Sequence, residues 1–438
     1  MRSEDATLAS SPTRDTRLAI EILARLFRTY PRSLAIRVWS GETLGIGQGP
    51  PEFTLVFKAA TPLRDLVLGR GALRLAEAYF RGEVDVEGDL GAALALKDYL
   101  EGAPVPARDR IALALKALRL RSARARDADR GTDGRPLHGR PVRRHSRREN
   151  KAAVGFHYDV SNEFYRLWLD EQMVYSCAYF ETAEDSLDRA QRNKLDYICR
   201  KLRLKRGERF LDIGCGWGAL VIWAARHYGV RAHGVTLSRN QHALATERVH
   251  AAGLHDRASV ELLDYRDLEG RESFDKIASV GMFEHVGLEN LPTYFGAAHR
   301  LLKPGGLFLN HGITHDAEGW QPTTATQFIN RYVFPDGQLD TVSNVQRVME
   351  RCGFEILDVE ALRPHYALTL RHWVRRLERA RAQALQFVAE PAFRVWRLYM
   401  TACARQFEQG DIGVHQILAA KRAPFCTPVP LTRRDLYA

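Results

Sequence analysis

Glu208-Arg-Phe-Leu-Asp-Ile-Gly-Cys-Gly-Trp-Gly218 runs directly into Ala219-Leu-Val-Ile-Trp-Ala-Ala-Arg226, and this stretch decides the fold. Phe210 to Ile213 is an apolar run of strand length. Glycines at 214, 216 and 218 follow, and then an apolar helical pattern without proline. That order predicts a strand, a tight turn and a helix. Alternating glycines strip each Cβ from the turn, so a ligand can lie against bare backbone at the positive end of the next helix. Asp212, two residues before Gly214, can receive a cationic or hydroxyl-bearing group at the carboxyl end of the strand.

Nicotinamide dinucleotide enzymes use the same glycine physics, but they also place an acidic residue on the ribose about 20 residues further on. The second strand here, Arg231 to Ser238, ends instead in Thr236 and Leu237, with Gln241 beyond. After the third strand stands Asp264-Tyr265, a polar and aromatic pair suited to the edge and face of adenine. These residues point to S-adenosylmethionine rather than a dinucleotide.

Outward from the glycine turn, apolar runs predict strands near 208–213, 231–237, 258–263, 274–280 and 305–312, with later ones near 354–360 and 415–421. Helical patterns lie between them at 186–202, 218–228, 238–252, 291–302 and 341–352. Strands spaced by helices imply an α/β fold with a doubly wound, mostly parallel, Rossmann-like sheet whose ligand crevice lies at the carboxyl ends of the strands.

The chain's 438 residues exceed one ordinary domain. Residues 1–105 read as a smaller α+β amino-terminal domain: a helix over 15–29, strands near 34–40, 43–47 and 53–58, and helices over 63–68, 72–80 and from about 90. Residues 106–150 read as a basic helix and a flexible linker, 151–425 as the catalytic domain and 426–438 as a tail. The net charge of +11 is unevenly spread, because Arg108 to Lys151 holds fifteen Lys or Arg against five Asp or Glu. With Ile111, Leu113, Leu115, Leu118 and Leu120 among the arginines, the segment has the composition of an amphipathic helix resting on anionic lipid. Nucleic acid is a second reading of that charge, but the segment lacks interleaved aromatics. Six cysteines without a CxxC pair favour a reducing compartment over a disulfide framework or zinc ribbon. Met1 to Asp15 is polar, so no secretory leader is expected.

Polar residues collect at the ligand end of the predicted sheet: Glu284 and His285 after strand four, His311 and His315 at the end of strand five, and His365-Tyr366 past strand six. No HExxH or comparably compact spacing occurs, and no metal is expected. Taken together, His157-Tyr158-Asp159, YSCAYF at 175, LDIGCGWG at 211, GVTLSxNQ at 234, GMFEHVG at 281, NHGIT at 310, FPDG at 334 and PHYxxTL at 364 resemble the cyclopropane-fatty-acid and mycolic acid cyclopropane synthases, over residues 150 to 425. The front segment GRGALRLAEAYFRG is similar to the amino-terminal domain of the phospholipid-acting members, which mycolate enzymes lack.

The resemblance implies that a methyl group passes from S-adenosylmethionine to a cis double bond of an unsaturated phospholipid acyl chain. A carbocation then loses a proton to bound bicarbonate as a cyclopropane ring closes. By motif, Cys177, Glu284, His311 and Tyr366 hold the bicarbonate, with the backbone near Val280 and Ile313. Cofactor contacts carry over to Tyr175, Ser176, Asp212, Gly214, Gly216, Thr236, Leu237, Gln241, Asp264 and Tyr265. Methylation without ring closure, giving a methylene- or methyl-branched chain, is the alternative on the same scaffold. Expected surroundings are the cytoplasm, the inner face of the membrane as a peripheral contact, and a second copy of the chain in a homodimer, with no nucleic-acid partner.

Overall fold

A computed structural model describes residues 13–69, 71–102, 107–120, 161–319, 323–333, 337–424 and 429–437. Residues 121–150 of the expected basic helix and linker, His157-Tyr158-Asp159 and Phe334-Pro335-Asp336 lie outside the described residues. The chain divides into two compact units: one comprises the amino-terminal part with Ala389–Leu398, the other the remainder through the carboxyl terminus.

In the first unit, helix Arg14–Leu26 is capped by Thr13, whose hydroxyl accepts from the Thr16 N–H. Strands β1 (Leu34–Arg37), β2 (Thr43–Ile46), β3 (Phe53–Phe57) and β4 (Val84–Gly88) form a sheet in the order β2-β1-β3-β4. β1 and β3 are parallel and the other pairs antiparallel. β4 has no counterpart in the sequence reading, because Asp85, Glu87 and Gly88 break its apolar pattern. Helix Ala107–Leu118 also differs from expectation: Leu113, Ala117 and Leu120 are buried in the same core as Ile22, Phe27 and Leu55. The boundary at 105 therefore cuts through this unit, and burial of one helix face is what moves it. Residues 389–398 likewise count with the first unit and not with 151–425, since Arg394 pairs with Asp85 at 3.0 Å and donates to the Tyr79 carbonyl.

The second unit is built on seven strands: β5 (Arg209–Ile213), β6 (Arg231–Thr236), β7 (Ala258–Leu262), β8 (Phe274–Val280), β9 (Leu302–His315), β10 (Phe354–Ala361) and β11 (Ile412–Lys421). Their order is β10-β11-β9-β8-β5-β6-β7. Pairs β5–β6, β6–β7, β5–β8 and β8–β9 are parallel, and β11 runs antiparallel to both its neighbours. The chain steps from β5 outward to β7 and returns on the other side at β8, so the direction of winding reverses at β5 and β8. A crevice opens there, outside the carboxyl ends of the strands. Helices Leu187–Lys201, Ala219–Tyr228 and Arg239–Ala251 fall within two residues of the predicted ranges. Within the segment read as a tail, Leu436 is buried and Arg203 pairs with Asp435 at 2.9 Å, while Leu431 is fully exposed.

Candidate active site

Gly214, Gly216 and Gly218 all hold positive φ, at 81, 55 and 80°, which is the left-handed region that only glycine enters without strain. Helix Ala219–Tyr228 starts from this turn. Across it lies a cavity of about 950 Å³ including its open mouth, lined by the ends of four parallel strands. β5 contributes Asp212 to Gly216, β6 contributes Thr236 and Leu237, and β8 leads into Gly281 and Met282. Gln241 and Tyr265 complete that side, and Tyr175 and Ser176 cover the other. Thr236 donates to Gln241 Oε1 at 2.9 Å, which holds the amide toward the cavity. Asp264 is not among the lining residues, because Arg266 grips its carboxylate at 2.9 and 2.5 Å.

Lys194, which lines this cavity, and Gln191, which does not, are polar residues that the sequence reading leaves out. Lys194 is buried and donates to the Ser176 hydroxyl at 2.9 Å, and Gln191, one turn earlier, donates to the Ser176 carbonyl at 2.9 Å. Both sit on the buried stripe Leu187, Ala190, Leu195 and Ile198 of their helix. Polar residues at positions where the period demands apolar ones were the available signal. Burial lowers Lys194 to about 8, against the pull of Asp170, Cys177 and Asp212.

Burial also raises Asp212 from its ordinary 3.8 to about 7, against the opposing effect of Lys194. One Asp212 oxygen makes no hydrogen bond within the protein. A carboxyl raised on folding keeps a proton that the unfolded chain has released. Its contribution to stability is complete below about 3.8 and is lost as pH rises through about 7. Asp212→Asn is expected to flatten the fall in melting temperature across that window, and an unchanged slope would contradict it.

A second cavity, of about 1310 Å³ with its mouth, shares Tyr175, Ser176, Gly281 and His285 with the first. It is lined by Cys177, Glu284, His311 and Tyr366, so the four expected catalytic side chains face one space. Its walls are largely apolar: Ile313, Leu370, Tyr399, Phe407, Ile412 and Val414. Helices Arg363–Arg379 and Glu390–Gln409 supply much of this wall, and neither figures in the sequence reading. Their many arginines mask the stripe Leu370, Trp373, Val374 and Leu377, which is buried.

Glu284 is fixed by the Ile313 N–H, which donates to its Oε1 at 2.7 Å, while Oε2 makes no hydrogen bond. The Ile313 N–H is thus engaged within the protein, which differs from the backbone role expected for it. Burial raises Glu284 to about 7 against that hydrogen bond, and burial holds His311 well below 6.5. Cys177 is a thiol pushed above its usual range by burial, and its Sγ donates to the Ala178 carbonyl at 3.3 Å. Segment 175–180 is stapled to the helix carrying Tyr366: the Ala178 N–H donates to Thr369 Oγ1 and the Phe180 N–H to His365 Nδ1, each at 3.0 Å. His315 also lines this cavity, but among the described residues no group of three His, Cys, Asp or Glu is placed to hold a metal.

Comparison with known proteins bears on the family and the fold. The family profile described as mycolic acid cyclopropane synthetase matches residues 145–417, and a domain of unknown function, DUF7884, matches residues 21–97. A probable fatty acid methyltransferase of Pseudomonas putida is 40% identical over 92% of this chain and 96% of its own. The cyclopropane-fatty-acyl-phospholipid synthase of Escherichia coli K12 is 40% identical over 60% of this chain and 66% of its own. The crystal structure of the mycolic acid cyclopropane synthase CmaA1 complexed with SAH and CTAB superposes with a TM-score of 0.59 at 36% identity, covering 62% of this chain and 98% of that one.

Proposed function

The chain belongs to the mycolic acid cyclopropane synthetase family of S-adenosylmethionine-dependent methyltransferases, and from that premise we propose that it builds a cyclopropane ring on the cis double bond of an unsaturated phospholipid acyl chain. The observation that carries the reading is the pair of adjoining cavities. A bare glycine turn with an unpartnered acid fits a sulfonium donor, and an apolar slot beyond it ends in a polar cluster.

S-Adenosylmethionine supplies an electrophilic methyl group when bound. An alkene is a poor nucleophile, so the main contribution of the protein is orientation, holding the reacting carbons about 3 to 3.5 Å apart. Tyr175 lines both cavities, and its ring lies 5.2 Å from that of Trp373. Such aromatic faces stabilise the positive charge that transfer leaves on the acyl chain. Ile313, Leu370, Phe407 and Val414 keep out the water that would quench it.

Ring closure releases a proton from the added methyl group. Glu284 Oε2 and His311 Nε2, both buried without partners, are suited to hold a small hydroxyl-bearing anion, with Cys177 and Tyr366 alongside. Bicarbonate held there supplies a proton acceptor. The hydroxyl of that anion can donate to Glu284 Oε2, which relieves the repulsion between the two charges. The assay is incubation with S-adenosylmethionine and vesicles of cis-unsaturated phospholipid. The expected product is heavier by one methylene unit and shows cyclopropane protons by NMR, and no heavier product would refute the reading.

The second reading, a methylene- or methyl-branched product, draws on the name of the Pseudomonas putida relative, a probable fatty acid methyltransferase. The same NMR spectrum distinguishes it, through olefinic or branch-methyl signals in place of ring protons.

We place the substrate in a bilayer. Ile111, Leu115 and Leu118 are 63, 55 and 53% exposed on one face of their helix, within the most basic part of the sequence. Among the described residues no helix is long and apolar enough to cross a membrane. Sedimentation with anionic vesicles is expected to weaken as salt rises and to fall further when these three residues become serine. Binding indifferent to salt would contradict an electrostatic contact.

A further inference from the structure

β11 is the reversed strand of the second unit, and its register sets Gln416 directly opposite His311 on β9. Directly opposed residues project from the same face of a sheet. Gln416 is wholly buried, with His415 before it and the apolar run Ile417, Leu418 and Ala419 after it. A buried amide there is costly unless it is hydrogen-bonded. Gln416 Nε2 lies 3.1 Å from His311 Nδ1.

The chemistry of that contact has one consequence. An amide nitrogen donates and cannot accept, so Nδ1 is the acceptor. Burial, with the Lys194 and Lys201 cations nearby, keeps the ring neutral. A neutral imidazole that accepts at Nδ1 carries its proton on Nε2. Nε2 makes no hydrogen bond within the protein, and His311 lines the second cavity beside Glu284.

We infer that Gln416 is a positioning residue that fixes the tautomer of His311, so that the ring offers an N–H to the anion site instead of a lone pair. This rests on the proposed anion-holding role of His311. The site then pairs a donor at His311 with an acceptor at Glu284 Oε2, which is the set a hydroxyl-bearing anion requires. The opposite tautomer presents two acceptors to an anion and repels it.

The test is ¹⁵N NMR of histidine-labelled protein, with the His311 signals assigned by their loss in His311→Asn. Wild type is expected to show a pyridine-type Nδ1 and a pyrrole-type Nε2. Gln416→Met is expected to mix the tautomers and to lower turnover about ten- to a hundredfold, as loss of a group that orients a functional histidine does, with affinity for S-adenosylhomocysteine unchanged. Gln416→Glu keeps the shape and supplies an acceptor, so it is expected to move the proton to Nδ1 even if the methionine variant fails to fold. A wild-type ring protonated on Nδ1, or a Gln416→Met protein with unchanged tautomer and turnover, overturns the inference. If the tautomer shifts as expected while His311→Ala keeps full turnover, Gln416 does set the ring and the anion-site reading is the part that fails.

Discussion

Glu284→Gln is expected to lower turnover by about 10²- to 10⁴-fold, the range a positioned base contributes, while affinity for S-adenosylmethionine stays unchanged. The separation follows from where the residue stands. Glu284 lines the second cavity and not the first, so a change there leaves the donor's contacts alone. Glutamine can keep the hydrogen bond from the Ile313 N–H, now 2.7 Å from Oε1, yet it places an amide N–H₂ at the position of Oε2, the acceptor proposed for the anion. The anion site then loses its acceptor and the released proton has no route from the carbon. Single-turnover kinetics with calorimetric titration of the donor measures both quantities. A fully active variant would mean that the proton leaves elsewhere, and loss of donor binding would mean that Glu284 serves the first cavity.

Gly312→Ala is expected to be nearly as damaging, through the backbone. A methyl group on Gly312 would overlap the Phe283 ring and stand 2.9 Å from Glu284 Oε1. β9 cannot shift to make room, since it is held by β8 on one side and β11 on the other. Forcing an extra methyl group into such packing costs about 1–3 kcal/mol, and relief must come from the turn that carries Phe283 and Glu284. The melting temperature and turnover should therefore fall together. Phe283→Leu in the Gly312→Ala background is expected to restore part of both, because the two sites share one contact. A single variant with wild-type melting temperature and turnover would show that the site tolerates a displaced Glu284.

The sheet of the second unit was readable from the sequence because its strands are apolar runs of ordinary length and its helices carry capping residues such as Ser186 and Ser238. The glycine turn and the polar residues at strand ends marked the crevice for the same reason: parallel strands put their carboxyl ends together. Other features depend on pairing across the chain. That β11 runs backward, and thereby brings Gln416 to His311, follows from strand order, which one sequence does not carry. Lys194 looks like any surface lysine until the stripe of its helix is drawn. Asp264 looked poised for a ligand, but a charge two residues on, at Arg266, competes for it successfully. Ala107–Leu118 reads as a basic amphipathic helix outside the first domain because arginines and a lysine stand among its leucines, although Leu113 and Ala117 suffice to seat it in the first unit's core.

The central claim is that carbon delivered by the donor surrenders a proton inside the second cavity as the ring closes. It is tested most directly with S-adenosylmethionine carrying a fully deuterated methyl group and vesicles of cis-unsaturated phospholipid, followed by mass and NMR analysis of the acyl product. The account predicts that the product keeps all but one of the methyl deuteriums and holds them in a cyclopropane ring. A product that retains every deuterium, with an intact methyl branch and no ring, would contradict it.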